Sequence, residues 1–377
     1  MTVVVSIHTN ISLRRGVVIY YFSIAFAVSF LVALGLALTT RWHSRFSGDL
    51  SGSGPQKIHT GVVPRVGGVA IFVGFAAAFV VGSQLLGLSG EPVLWLLFAL
   101  TVSFAAGLYE DVSKNFGPLA RLLATFVGAA MAYQWCGASL KRFDVAPIDA
   151  VLVAYPPIAF IFTVFCVGAI AHAYNLSDGL NGLLAGLGLV ACLGITLVAR
   201  QYNDTSLLLA STSLGGAIVG FGLLNYPRPY LFSGDGGAYL VGTAVAILSI
   251  LLIGRHAEIS AWLPFCLVLY PFADTTCAII RRKLKRVPIS APDAEHMHTL
   301  LASRMTALFG PRGANLASLL IVGAAGAFMW VAATFHTQTT VLVGLAVAYF
   351  VGYGLAYRFA LNAADVTFRL RSRNAGE

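Results

Sequence analysis

Carboxylates, imidazoles and guanidiniums gather in five short polar stretches of this chain, each set against a long apolar run. The first reads Lys57-Ile-His-Thr-Gly-Val-Val-Pro-Arg-Val-Gly-Gly68. Lys57, His59 and Arg65 are cationic donors of the kind that pair with phosphate, and Gly67 and Gly68 let backbone come close to a ligand. The same glycines would equally suit a close contact between helices. The second, Gly107-Leu-Tyr-Glu-Asp-Val-Ser-Lys-Asn-Phe-Gly-Pro-Leu-Ala-Arg121, sets Glu110 and Asp111 side by side where an apolar run ends. Two carboxylates there are costly unless they are paired, bind metal or move protons. Neighbouring residues on a helix face different directions, so the two are expected to differ in role.

The third stretch, His172-Ala-Tyr-Asn-Leu-Ser-Asp-Gly-Leu-Asn-Gly-Leu-Leu-Ala-Gly186, carries amides and a carboxylate but no Lys or Arg. If it is helical, Asn175, Asp178 and Asn181 share one face, suited to hydrogen bonding a base or sugar and to touching a cation. A capped turn rich in Asn and Gly is the plainer alternative. The fourth, Phe232-Ser-Gly-Asp-Gly-Gly237, leaves the Asp235 carboxylate unobstructed between glycines whose amides can face an anion. The fifth follows Asp274 with Arg281-Arg-Lys-Leu-Lys-Arg286 and Pro292-Asp-Ala-Glu-His-Met-His-Thr299. Arg281 and Arg282 could contact phosphate or anchor a span in anionic lipid. His296 and His298 differ by two residues and do not share a helical face, so phosphate contact or support of other groups is expected and zinc of the HExxH kind is not.

The elements that must hold these stretches are membrane helices. Of 377 residues, 58% are hydrophobic and 10% charged, against roughly 25% charged in a soluble domain. Apolar runs fall near 17–39, 66–88, 92–109, 122–137, 151–172, 183–200, 205–224, 237–254, 261–279, 314–335 and 340–357. Most are close to the roughly 18 residues that cross a hydrocarbon core, and their continuity excludes barrel strands, which would alternate. The expectation is an all-α, polytopic integral membrane protein of about eleven spans, forming a single domain over 1–377. The first run is too long for the hydrophobic core of a cleaved secretory signal and reads as a retained span. The five cysteines lie singly in apolar segments, without metal or redox spacing.

Alternate loops sort the charge. With the N-terminus outside, eighteen of the 24 Lys and Arg fall on one side and six on the other, so the rich side is cytoplasmic and the C-terminus faces in. Loops at about 40–65, 110–121, 173–182, 225–236 and 280–313, which hold the chemistry, all share that side. The net charge of +9 is thereby a matter of topology, and no soluble face exists to bind nucleic acid. A transporter would place polar groups near the bilayer midplane and show inverted repeats; here the polar groups sit at one edge.

In order, these stretches resemble the polyprenyl-phosphate N-acetylhexosamine-1-phosphate transferases over about residues 17–310. The resemblance rests on His59 with Pro64-Arg65-x-Gly-Gly68, Gly107-x-x-Glu-Asp111, Asn175-x-x-Asp-Gly-x-Asn-Gly182, Gly234-Asp-x-Gly237 and His296-x-His298. It implies transfer of a sugar phosphate from a UDP-N-acetylhexosamine to undecaprenyl phosphate, with UMP released, in a bacterial inner membrane and with the site facing the cytoplasm. It further implies Mg²⁺, which Mn²⁺ could replace, held by Asp235 with Asp178, and catalytic parts for Glu110, Asp111, Asp178, Asp235, His296 and His298. Asn175, Asn181 and the uracil-stacking Phe232 would bind the nucleotide, while Lys57, His59, Arg65, Arg281 and Arg282 would face phosphates. A homodimer is compatible with it.

Two departures stand out. Glu110 replaces the first of two aspartates, and Thr299 ends a motif that usually closes on a third imidazole. With Asn181, they place the chain nearer the N-acetylhexosamine branch than the muropeptide translocase branch. The sugar is expected to be GlcNAc or a modified aminosugar, at the start of a cell-surface polysaccharide such as O-antigen.

Overall fold

The computed structural model describes residues 2–49, 63–88, 90–288 and 293–374; Lys57 and His59 lie outside them. The chain is 82% helical. A first helix α1 (Thr2–Leu38) leads through α2 (Thr40–Ser47) to α3 (Gly67–Leu85), α4 (Gly90–Ser113) and α5 (Pro118–Cys136). Then come α6 (Ala146–Ala154), α7 (Pro156–Ser177), α8 (Leu183–Gln201), α9 (Thr205–Asn225) and α10 (Gly234–Arg255). The chain continues as α11 (Leu263–Leu267), α12 (Leu269–Leu284), α13 (Met297–Phe309), α14 (Gly313–Thr334) and α15 (Thr339–Asn374). Among the described residues, nine stretches are long and apolar enough to cross a membrane.

Two further expected spans are helical but fall outside that set. Helix α5 carries Arg121 and Gln134, which lower its apolar character. The run expected at 261–279 is broken at Val268, because Pro271 has no N–H for the carbonyl of Leu267 and its ring crowds that carbonyl. Proline also moves the span expected at 151–172. Pro156 and Pro157 open α7, Tyr155 before them turns to φ −123°, and the preceding residues form the separate helix α6. The fifth polar stretch, read as a loop, contains the 13-residue helix α13, whose interior holds no Gly or Pro.

Helix α10 lies at the centre of the bundle, packed on α3, α4, α7 and α8, and its apolar window is wholly buried. That explains why it is apolar all round. Glycines decide how closely its neighbours approach. A Cβ at Gly68 or Gly107 would collide with the backbone of residues 235–237, so α3 and α4 pack backbone to backbone on the N-terminus of α10.

The two ends of the bundle hold different side chains. At one end the described parts of the five polar stretches meet. At the other, Asp204 caps α9 by accepting the Leu207 N–H at 3.0 Å and pairs with Arg255 at 3.2 Å. Asp144 there accepts from Ser260 and Thr339 at 2.8 and 2.9 Å, and hydrogen bonds to Asp144 hold its carboxyl below the usual range although burial opposes this.

Candidate active site

Residues 64–68 and 232–233 run alongside one another. The Phe232 N–H donates to the Pro64 carbonyl, the Gly67 N–H to that of Phe232 and the Gly68 N–H to that of Ser233, each at 2.8 Å. This zipper carries Arg65 to Asp235, whose Oδ1 accepts from Arg65 Nη2 at 2.9 Å. Its other oxygen is ion-paired with Arg121, reaching in from the start of α5.

Asp111 serves the same corner from below. Its carboxylate, 3% exposed with its residue, accepts the N–H groups of Asp235 and Gly236 at 2.9 Å each. These are among the first N–H groups of α10, unpaired within the helix, and the carboxylate also meets the positive end of the helix dipole. Arg65 Nε stands 3.5 Å away. Gly234, at φ +70°, makes the turn possible: any side chain there would strike Asp111 and the Arg65 carbonyl.

Glu110 points elsewhere, as adjacent positions on α4 require. Its Oε2 accepts the Phe116 N–H at 2.7 Å and closes the turn into α5.

The expected shared face of Asn175, Asp178 and Asn181 does not form. Helix α7 ends at Ser177, Asp178 follows it at φ −80°, ψ 55°, and Gly182 adopts φ +75°, so the Asp-Gly and Asn-Gly pairs stop the helix. Asp178 turns to the centre and bonds the Ser233 hydroxyl. Burial pushes its carboxyl up to about 6, with Ser233 and Arg65 pulling down and Asp235 pushing up. Asn175 lies 3.5 Å from the Tyr239 hydroxyl. Asn181 turns away, 3.4 Å from the Pro227 carbonyl.

Arg281 pairs with Asp293 and lies 3.4 Å from Glu295 and 2.7 Å from the Tyr357 hydroxyl, with Arg282 3.8 Å from Asp293. The pair thus braces the segment leading to His296. His298 packs against Gly179, where any Cβ would collide with its ring.

The sequence reading did not single out Arg121, Ser233, His172, Tyr239 or Asp274 as site residues. His172 lies 4.8 Å from the Tyr239 ring and its Nε2 is buried without a hydrogen bond. Arg121 and Asp274 did carry a signal, being charges in apolar helices; the others did not.

Three carboxylates, Asp111, Asp178 and Asp235, meet two guanidiniums, Arg65 and Arg121. The excess is negative and its donors are hard oxygens, which fits Mg²⁺ or Mn²⁺ rather than a thiolate- or imidazole-seeking metal. Asp111 has its oxygens committed to backbone, whereas Asp235, ion-paired with Arg65 and Arg121, and Asp178, bonded to Ser233, are held by side chains alone and are the pair that would exchange those partners for a cation.

Known proteins are similar to this chain in sequence. The model of glycosyl transferase family 4 matches residues 93–253, which contain Asp111, Arg121, Asp178 and Asp235. A probable undecaprenyl-phosphate N-acetylglucosaminyl 1-phosphate transferase of Bacillus subtilis is 30% identical over 280 residues, covering 73% of this chain and 75% of its own length. An undecaprenyl-phosphate alpha-N-acetylglucosaminyl 1-phosphate transferase of Yersinia pestis is 28% identical over 369 residues, 94% of each chain. A decaprenyl-phosphate N-acetylglucosaminephosphotransferase of Mycolicibacterium smegmatis is 30% identical over 277 residues, 64% of this chain and 66% of its own. The chain therefore belongs to glycosyl transferase family 4, among the polyprenyl-phosphate N-acetylhexosamine-1-phosphate transferases.

Proposed function

We propose that this protein transfers N-acetylhexosamine-1-phosphate from a UDP-sugar, with UDP-GlcNAc the first choice, to undecaprenyl phosphate. An oxygen of the lipid phosphate attacks the β-phosphorus of the UDP-sugar, the bond from that phosphorus to the bridging oxygen breaks, and UMP leaves. The product is a lipid-linked diphosphosugar. The observation that carries this reading is the meeting of Arg65, Arg121, Asp178 and Asp235 from four separate polar segments at one end of an apolar bundle.

Two anionic phosphates must approach each other, so neutralisation and positioning come first. Arg65 and Arg121 supply fixed positive charge, and Asp178 and Asp235 would hold Mg²⁺. When bound, such an ion polarises phosphoryl oxygens and offsets charge that develops on the leaving group. Asp111 keeps Asp235 in place through the α10 backbone. The lipid phosphate is already largely ionised near neutral pH, its second pKa being about 6, so no strong base is required. His298 packs against the turn at Gly179, with His296 stacked on it, and the two would contact the diphosphate. The concentration of Lys and Arg on this side supports a site that faces the cytoplasm from a bacterial inner membrane.

Purified protein offered undecaprenyl phosphate, Mg²⁺ and a panel of UDP-aminosugars should release UMP with at least one of them. No release with any member, by protein that is folded and lipid-supplied, would overturn the proposal.

A further inference from the structure

Asp274 sits within α12, apart from the carboxylates of the transfer site, and is 1% exposed. A carboxylate so placed needs partners, and it has four. Its Oδ1 accepts the Met297 N–H at 2.9 Å and the Tyr353 hydroxyl at 2.8 Å. Its Oδ2 lies 2.7 Å from His296 Nδ1 and 3.6 Å from His298 Nδ1. The two imidazoles are stacked, centroids 5.2 Å apart and planes 19° from parallel, and the Tyr270 hydroxyl is 3.2 Å from His298 Nδ1.

Asp274, His296 and His298 are close enough together to suggest a metal site, but the distances favour hydrogen bonding. Two ligands of one tetrahedral zinc, each at about 2.0–2.2 Å from the ion, stand roughly 3.3 Å apart. The His296 to Asp274 separation of 2.7 Å is that of a charge-assisted hydrogen bond. The carboxylate also accepts a backbone N–H at the first residue of α13, repeating the device by which Asp111 anchors α10.

We propose that Asp274 is a positioning residue for the transfer reaction: it holds His296 in the tautomer protonated at Nδ1, leaving Nε2 as the free ring nitrogen, and by capping α13 it seats His298 against the turn at residues 178–179. Accepting from one ring nitrogen of a histidine fixes which nitrogen is left for chemistry and aims the ring. The contact of His298 with Gly179 carries that orientation to Asp178. This inference rests on the proposed function, in which His296 and His298 face the diphosphate.

The test is a double-mutant cycle on UMP release. Asp274→Asn keeps an oxygen for Met297 and Tyr353 but presents an amide N–H to His296 Nδ1, which forces the other tautomer. It should lower kcat on the order of 10²-fold and change KM for the UDP-sugar by less than about threefold. In a His296→Ala background the same change should cost less than about threefold, because the group it acts through is gone. If Asp274→Asn fails to accumulate, Tyr353→Phe removes one hydrogen bond from the carboxylate. It should lower kcat by about three- to tenfold, an effect that disappears with His296→Ala. Full activity of the single variants, or losses that multiply unchanged in the His296→Ala background, would overturn the inference while leaving the proposed function intact. A wild-type protein that releases no UMP would instead sink the proposed function itself.

Discussion

Asp111→Asn is the substitution on which the geometry makes its most particular demand. The carboxylate accepts two backbone N–H groups at 2.9 Å, from Asp235 and Gly236. An amide of the same shape accepts only one and turns its own N–H toward the other, leaving a buried donor unpaired at about 1–3 kcal/mol. The variant also loses the negative charge at the N-terminus of α10, worth about 0.3–1 kcal/mol and up to 2 in buried settings. Together these predict a loss of about 2–4 kcal/mol in the stability of this end of the bundle. Asp235 would shift with its helix, and a displacement of roughly 1 Å can cost about 10²-fold in rate. Thermal unfolding in detergent, read beside UMP release, measures both. The account predicts that midpoint and rate fall together. An inactive variant that melts like wild type would show that Asp111 acts on the substrate by accepting a proton, and would refute its assignment as an anchor.

Other perturbations bear on the same site. Glu110→Asp sacrifices one hydrogen bond to Phe116 at the turn into α5, so UMP release should stay within about tenfold of wild type; complete inactivation would give Glu110 a part in the chemistry. Asp178 titrates near 6 because burial raises it; it is charged above that pH and protonated below, so protons should compete with the cation. Calorimetric Mg²⁺ affinity should therefore weaken as pH falls from 7 to 5.5, and an affinity flat across that range would remove Asp178 from the cation site. Gly179→Ala should abolish transfer, since its methyl group meets the His298 ring, whereas wild-type rates would mean that His298 does not need this seat.

Much of the architecture was legible because a bilayer imposes a single solution on apolar runs of this length. The five polar stretches were legible too, as were the different directions of Glu110 and Asp111, since helix geometry turns adjacent side chains apart. What escaped was of two kinds. Local stops were written in the sequence: Asp178-Gly179 and Asn181-Gly182, which the sequence also allowed as a capped turn, follow the end of α7, while Pro271, hidden within an apolar run, divides α11 from α12. Contacts across the chain left no local trace. Asp111 is 124 residues from the N–H it binds at Asp235, and Arg121 reaches Asp235 across 114 residues. Only the close packing of α3, α4 and α10 at Gly68 and Gly107 brings these groups together.

A paramagnetic cation reads the central claim directly. Mn²⁺ titrated into purified protein in the presence of UMP, followed by electron paramagnetic resonance, should report one bound ion per chain. Asp178→Asn and Asp235→Asn should each weaken that binding by at least about tenfold, while a control such as Asp204→Asn at the opposite end of the bundle should leave it unchanged. Undiminished Mn²⁺ binding in both site variants would contradict the account, because the cation would then lie elsewhere.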